Sequence, residues 1–131
     1  MAGKEAPAPA YVMAPKRERA APKPSTIPNE HQEQVAFIKW FRMQHKGVRI
    51  FAIPNAAMRT PQLAAYLKAE GMSAGVPDLC IPAWHTWIEF KRVKGSIISA
   101  EQQDWHDYLR GIGDTVIVAR GCEDAIMQLS R

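Results

Sequence analysis

The sequence predicts a single α/β domain, a mixed sheet flanked by helices. Three observations predict it. Short apolar runs with strand character alternate with segments of helical apolar spacing, in the order helix, strand, helix, hairpin, helix, strand, helix. The helical segments are punctuated by residues that start and stop helices. The chain has 131 residues, enough for one buried core and too few for two full domains.

Residues 1–28 stand apart from that pattern. They hold six of the ten prolines and seven alanines. Repeated proline forbids a continuous helix, and few large apolar groups are present to offset the entropy of ordering the chain. This stretch is expected to be a disordered, mildly basic arm, and residues 29–131 the folded domain. From Asn29, a plausible N-cap, Val35, Ile38 and Phe41 recur at helical spacing with Phe37 and Trp40 alongside, up to Gly47. "VRIFAI", residues 48–53, alternates like a strand and ends at Pro54-Asn55. "TPQLAAYLKAEG" carries Thr60 as cap, Pro61 in the first turn and Gly71 past the end, a second helix. "DLCIP" and "HTWIEFK" are two short strands around a turn. "SAEQQDWHDYLRG" opens with a Ser-x-x-Gln capping box, Ser99 and Gln102. "DTVIVAR" is a buried strand and "CEDAIMQLS" a closing helix.

Composition excludes several classes. The hydrophobic fraction of 47% and charged fraction of 23% are ordinary for a soluble domain. No stretch approaches the ~20 apolar residues of a membrane span, and no apolar leader core is present. Cys80 and Cys122 form neither a disulfide framework nor a metal knuckle, as expected in a reducing cytoplasm. Net charge is +4, but residues 1–29 carry five Lys/Arg against two Glu, so the domain itself is close to neutral. The balance is compatible with nucleic acid without requiring it. The four histidines lack metal-ligand spacing and are expected on surfaces or helix faces. Trp40 and Trp105 are expected in the core, and Trp84 exposed in the turn. No glycine-rich nucleotide loop is present.

The hairpin carries the chemistry. Antiparallel pairing centred between Ala83 and Trp84 sets Asp78 opposite Glu89, with Cβ atoms ~4.5–5.5 Å apart. Two carboxylates at that range repel unless a proton or cation lies between them. Lys91 shares the face of Glu89, while Phe90 turns to the core. A hard cation such as Mg²⁺ needs few carboxylates and keeps waters for reaction. A neighbouring lysine can orient a water or stabilise charge on a phosphate oxygen. On its own, D-x10-E-x-K is a short match that recurs by chance; its place in a hairpin before a capped helix is what gives it weight.

"PD…EFK" resembles the PD-(D/E)xK nuclease signature. The longer run through "GVPDL", "WIEFK" and "SAEQQDW" resembles the VRR-NUC branch, the virus-type replication-repair nucleases, over roughly residues 29 to 127. That resemblance implies a restriction-endonuclease-like domain and a metal-dependent DNA endonuclease. It makes Asp78, Glu89 and Lys91 catalytic and Asp78, Glu89 and the Phe90 carbonyl metal ligands. An "E-x-x-x-Q" match adds Glu30, with Gln34, from the first helix. Glu33 is a rival, although Glu30, Gln34, Ile38 and Phe41 share a stripe that would face the core. Gln102, Gln34 and Arg59 are implied in substrate binding, Arg59 as a bidentate phosphate ligand. Apart from the resemblance, the basic run Lys91-Arg92-x-Lys94 before Gly95 reads either as a phosphate contact through Lys94 or as a solvated loop. The loop "PNAAMR" departs from the family, where glycines often follow Pro-Asn. The resemblance further implies Mg²⁺, with Mn²⁺ as substitute, branched or junction DNA as substrate, a homodimer, and a phage or prophage origin in a bacterial cytoplasm. The alternative is a catalytically silent DNA-binding or packaging accessory that keeps the nuclease fold.

Overall fold

The computed structural model describes residues 28–54 and 60–131. The arm expected over residues 1–28 therefore lies outside the described residues except for Pro28, and so do Arg59 and its loop.

Helix α1 spans Glu30–Gln44. It begins with a reciprocal capping box, in which Asn29 Oδ1 accepts the Gln32 N–H at 2.8 Å and Gln32 Oε1 accepts the Asn29 N–H at 2.9 Å. Asn29 was expected to cap; the reply from Gln32 was not. Phe37 and Phe41, one turn apart, are fully buried and set the inward direction of the helix. Val35, expected on the core stripe, is instead 39% exposed. Two residues on a helix rotate by about 200°, so Val35 points away from whatever Phe37 faces. The two phenylalanines bury more apolar surface than one valine, and they decide the orientation.

Four strands form one sheet in the order β1-β2-β3-β4: β1 at Phe51–Ala52, β2 at Leu79–Ile81, β3 at Thr86–Lys91 and β4 at Thr115–Arg120. β1 pairs antiparallel with β2, β2 antiparallel with β3, and β3 parallel with β4. The strand expected over 48–53 pairs only at Phe51–Ala52. Val48 and Ile50 are drawn into the core instead of extending the edge. Helix α2, Pro61–Ala69, is capped by Thr60 as expected and buries none of its residues.

β2 and β3 are joined by a short 3-10 turn, Pro82–Trp84, closed by His85 in the left-handed conformation (φ 48°). The pairs Leu79↔Ile88, Cys80↔Trp87 and Ile81↔Thr86 have the register inferred from the sequence. Trp84 keeps an exposed edge, but its ring packs on Phe41 and His45, with centroids 5.5 and 4.9 Å away.

Alternation along β3 divides its side chains between two faces. Ile88 and Phe90 join Phe37, Phe41, Leu79, Ile81, Ile117 and Ala119 in the core, beneath α1 and the closing helix α4, Cys122–Leu129. Glu89 and Lys91 point to the opposite face, which is covered by α3, Ala100–Gly111. Helix α3 serves as the crossover between the parallel strands β3 and β4, the unit such strands require.

Candidate active site

Asp78 immediately precedes β2, and the β2–β3 register places it across from Glu89. Its backbone carbonyl accepts the Ile53 N–H at 2.9 Å, tying it to β1. Its side chain bends over the hairpin, and Oδ2 accepts the Phe90 N–H at 2.7 Å. The carboxylate is thereby held beside Glu89, within hydrogen-bonding reach of it.

Glu89 is 1% exposed, an unusual place for a carboxyl group. Burial is the main cause that pushes its pKa from 4.5 up to about 9. A hydrogen bond with Asp78, then the charges of Asp78 and Glu30, raise it further, and Lys91 opposes them. Without a cation, Glu89 thus carries a proton at neutral pH, the first of the two ways in which facing acids escape repulsion. Its Oε1 is buried and has no hydrogen-bond partner. A buried oxygen with unused lone pairs beside a second, already oriented carboxylate is a donor set that fits a hard oxygen-seeking cation.

Lys91 is also buried, under the first turn of α3, and its Nζ donates to Gln102 Oε1 at 2.7 Å. Gln102 reaches it because the Ser99 capping box fixes its side chain: the same Oε1 accepts the Ser99 N–H at 3.0 Å, while Ser99 Oγ accepts the Gln102 N–H at 3.2 Å. The residue that starts the helix therefore also orients the lysine. The segment before Asp78 is fitted to this turn as well. Gly75, at φ +89°, lies so close that a Cβ there would come 2.5 Å from the backbone carbon of Glu101.

The two acids of α1 take different posts. Glu30 Oε1 accepts the Ser96 hydroxyl at 3.0 Å, and its charge is felt by Glu89. Glu33 Oε2 accepts the Cys122 N–H, capping α4, which has no side-chain cap of its own. Among the described residues no three His, Cys, Asp or Glu side chains converge as a metal cage, so Asp78, Glu89 and Glu30 are neighbours rather than a closed set. Gln34, half-buried, lines a groove along α1 with His31, Val35, Ile38, Lys39 and Arg42. Lys94 is exposed on the loop after β3, which Arg120 braces through bonds of 3.0 Å to the Arg92 and Ser96 carbonyls.

His106 is expected from the sequence on a surface or helix face. It is instead fully buried, its Nε2 lies 3.9 Å from Glu89 Oε1, and neither ring nitrogen has a partner. Burial, then the charges of Arg110 and Lys91, hold it below the usual histidine range. Its spacing of four from Gln102 was the available signal, since the two share a helix face. Both cysteine thiols are pushed up, mainly by burial, which disfavours thiolate chemistry.

No family model matches the chain. No curated protein sequence matches it. Among solved structures it is similar to a protein described as a "VRR_NUC domain protein", with TM-score 0.66 and 26% identity, over 79% of this chain and 87% of that one.

Proposed function

We propose, for a chain that has the VRR-NUC fold, that it is a metal-dependent DNA endonuclease hydrolysing phosphodiester bonds. The observation that carries this reading is Glu89, a buried carboxyl group set against Asp78 with one oxygen left unpartnered. Asp78 and Glu89 would hold Mg²⁺ or Mn²⁺, with the Phe90 carbonyl and, from the outer side, Glu30. When bound, the cation supplies Lewis acidity at the scissile phosphate and a more acidic water.

The chain's own groups do the rest. Asp78 is held in place by the Phe90 N–H, so its carboxylate does not have to reorganise on binding. Lys91 donates one N–H to Gln102 and has two more for a water or a phosphate oxygen. Burial under α3 keeps the lysine stem in one geometry, so an ammonium is presented at a defined point rather than swept through solvent. Lys94, Gln34 and Arg59 complete the substrate contacts, and Gln102 acts by orienting Lys91.

The substrate of this reading is branched or junction DNA, in the bacterial cytoplasm during phage replication or repair. One domain has one such site, so cutting both strands of a junction calls for a homodimer. The test is a cleavage panel on linear, flapped and four-way junction DNA, with Mg²⁺ or with EDTA. Cleavage in Mg²⁺ and none in EDTA is expected, strongest on the junction. Uncut DNA that is nonetheless bound would favour the silent accessory instead.

A further inference from the structure

We propose that His106 is a positioning residue for Glu89, donating its Nε2–H to Glu89 Oε1, the oxygen without a partner, once a cation is bound. The inference rests on the metal-site reading above and names a member that reading does not contain.

Two independent features of the fold support it. The first is a match of spacing between α3 and β3. Gln102 and His106 are four residues apart on a helix, a rise of about 6 Å. Lys91 and Glu89 are two apart on a strand, a rise of about 6.6 Å. The helix therefore lays two side chains against two strand side chains at nearly equal intervals. Gln102 meets Lys91 at 2.7 Å, and His106 meets Glu89 at 3.9 Å. The first pair is closed and the second stands about 1 Å open.

The second feature is what the open pair lacks. Glu89 Oε1, His106 Nδ1 and His106 Nε2 are the buried side-chain polar atoms without partners among the described residues, and all three belong to this one contact. Buried polar atoms left unmatched are costly, and a fold tolerates them chiefly where function uses them. A neutral imidazole has one N–H donor. A carboxylate holding a cation is charged, and a charged acceptor draws an N–H donor to roughly 2.7–2.9 Å. Closing the gap would fix the Glu89 rotamer and direct its free lone pairs at the cation. Ligating carboxylates are commonly held in this way by an outer partner.

Mn²⁺ binding by calorimetry tests this on the full-length protein, with wild type, Glu89→Gln, His106→Leu, His106→Met and His106→Gln compared. The two variants without a donor should bind Mn²⁺ roughly 10–100-fold more weakly than wild type, the range typical for loss of such a partner. His106→Gln, whose amide can donate to the same oxygen, should recover most of the affinity, which a merely structural role would not produce. Melting in EDTA shows that each variant is folded, and Leu and Met differ enough in shape that one should pack if the other does not. Unchanged Mn²⁺ affinity in a folded Leu or Met variant, with wild type binding and Glu89→Gln not, overturns the role of His106 and leaves the metal site standing. Affinity lost equally in the Gln variant overturns it too. A wild-type protein that takes up no Mn²⁺ overturns both.

Discussion

Replacing Glu89 with glutamine removes the protonation that the fold imposes on this residue, and the consequence is measurable without substrate. The pKa of Glu89 is pushed up from 4.5 to about 9 on folding, mainly by burial. Between those two values the folded chain holds a proton that the unfolded chain releases. Stability then falls as pH rises, by up to about 1.4 kcal/mol per pH unit for one proton. The contribution is fully present below pH 4.5 and is lost as pH climbs through about 9. From pH 6 to 8 the loss approaches 3 kcal/mol, or on the order of 10 °C in melting temperature for a domain of this size. Glutamine has nearly the same shape, can still donate to Asp78, and does not titrate. Thermal melts in EDTA across pH 5.5 to 8.5 should therefore slope downward in wild type and be nearly flat in Glu89→Gln, with the variant more stable at pH 8. Mg²⁺ should raise the wild-type melting temperature most at high pH, because cation and proton compete for the same carboxyl, and should do nothing to the variant. Parallel pH profiles for the two proteins would refute the claim that a proton resides on Glu89.

Asp78→Asn or Lys91→Ala should abolish DNA cleavage with little change in melting temperature, since Gln102 keeps its bond to the Ser99 N–H when Lys91 is gone; wild-type cutting by either variant would contradict the assignment. Gly75→Ala should destabilise the domain by several kcal/mol and weaken Mg²⁺ binding. Its Cβ would meet backbone at 2.5 Å in a residue with φ +89°, forcing the loop before Asp78 away from α3; an unaltered melt would show that the loop yields freely. Phe37→Ala should cost about 3–5 kcal/mol in a denaturant titration, because Phe37 is fully buried and packs at 5.6 Å on Phe90, which separates Glu89 from Lys91.

Much of this molecule is written in residues a few positions apart. The caps Asn29, Thr60 and Ser99 were legible because a cap bonds to the backbone two or three residues ahead. The hairpin register was legible because a short turn leaves few pairings, and alternation then separated Phe90 from Glu89 and Lys91. Val35 lies outside the core that its spacing predicts, because spacing tells which residues share a stripe but not which stripe the sheet will accept. The choice between Glu30 and Glu33 stayed open for a related reason: both lie in the first turn of α1, and only the position of α4, whose first N–H draws on Glu33, separates them.

The sequence by itself determined the order of the elements, the starts of the capped helices, and the facing of Asp78 and Glu89, because those depend on dihedral preferences and on the two-residue period of a strand. Only the tertiary structure decided that α3 closes over Glu89 and Lys91, that Gln102 orients the lysine, and that His106 lies buried against the glutamate. Those outcomes arise where a helix meets a sheet across a long crossover. There the energy comes from burying whole faces together, and no local pattern encodes the depth at which a charge ends up.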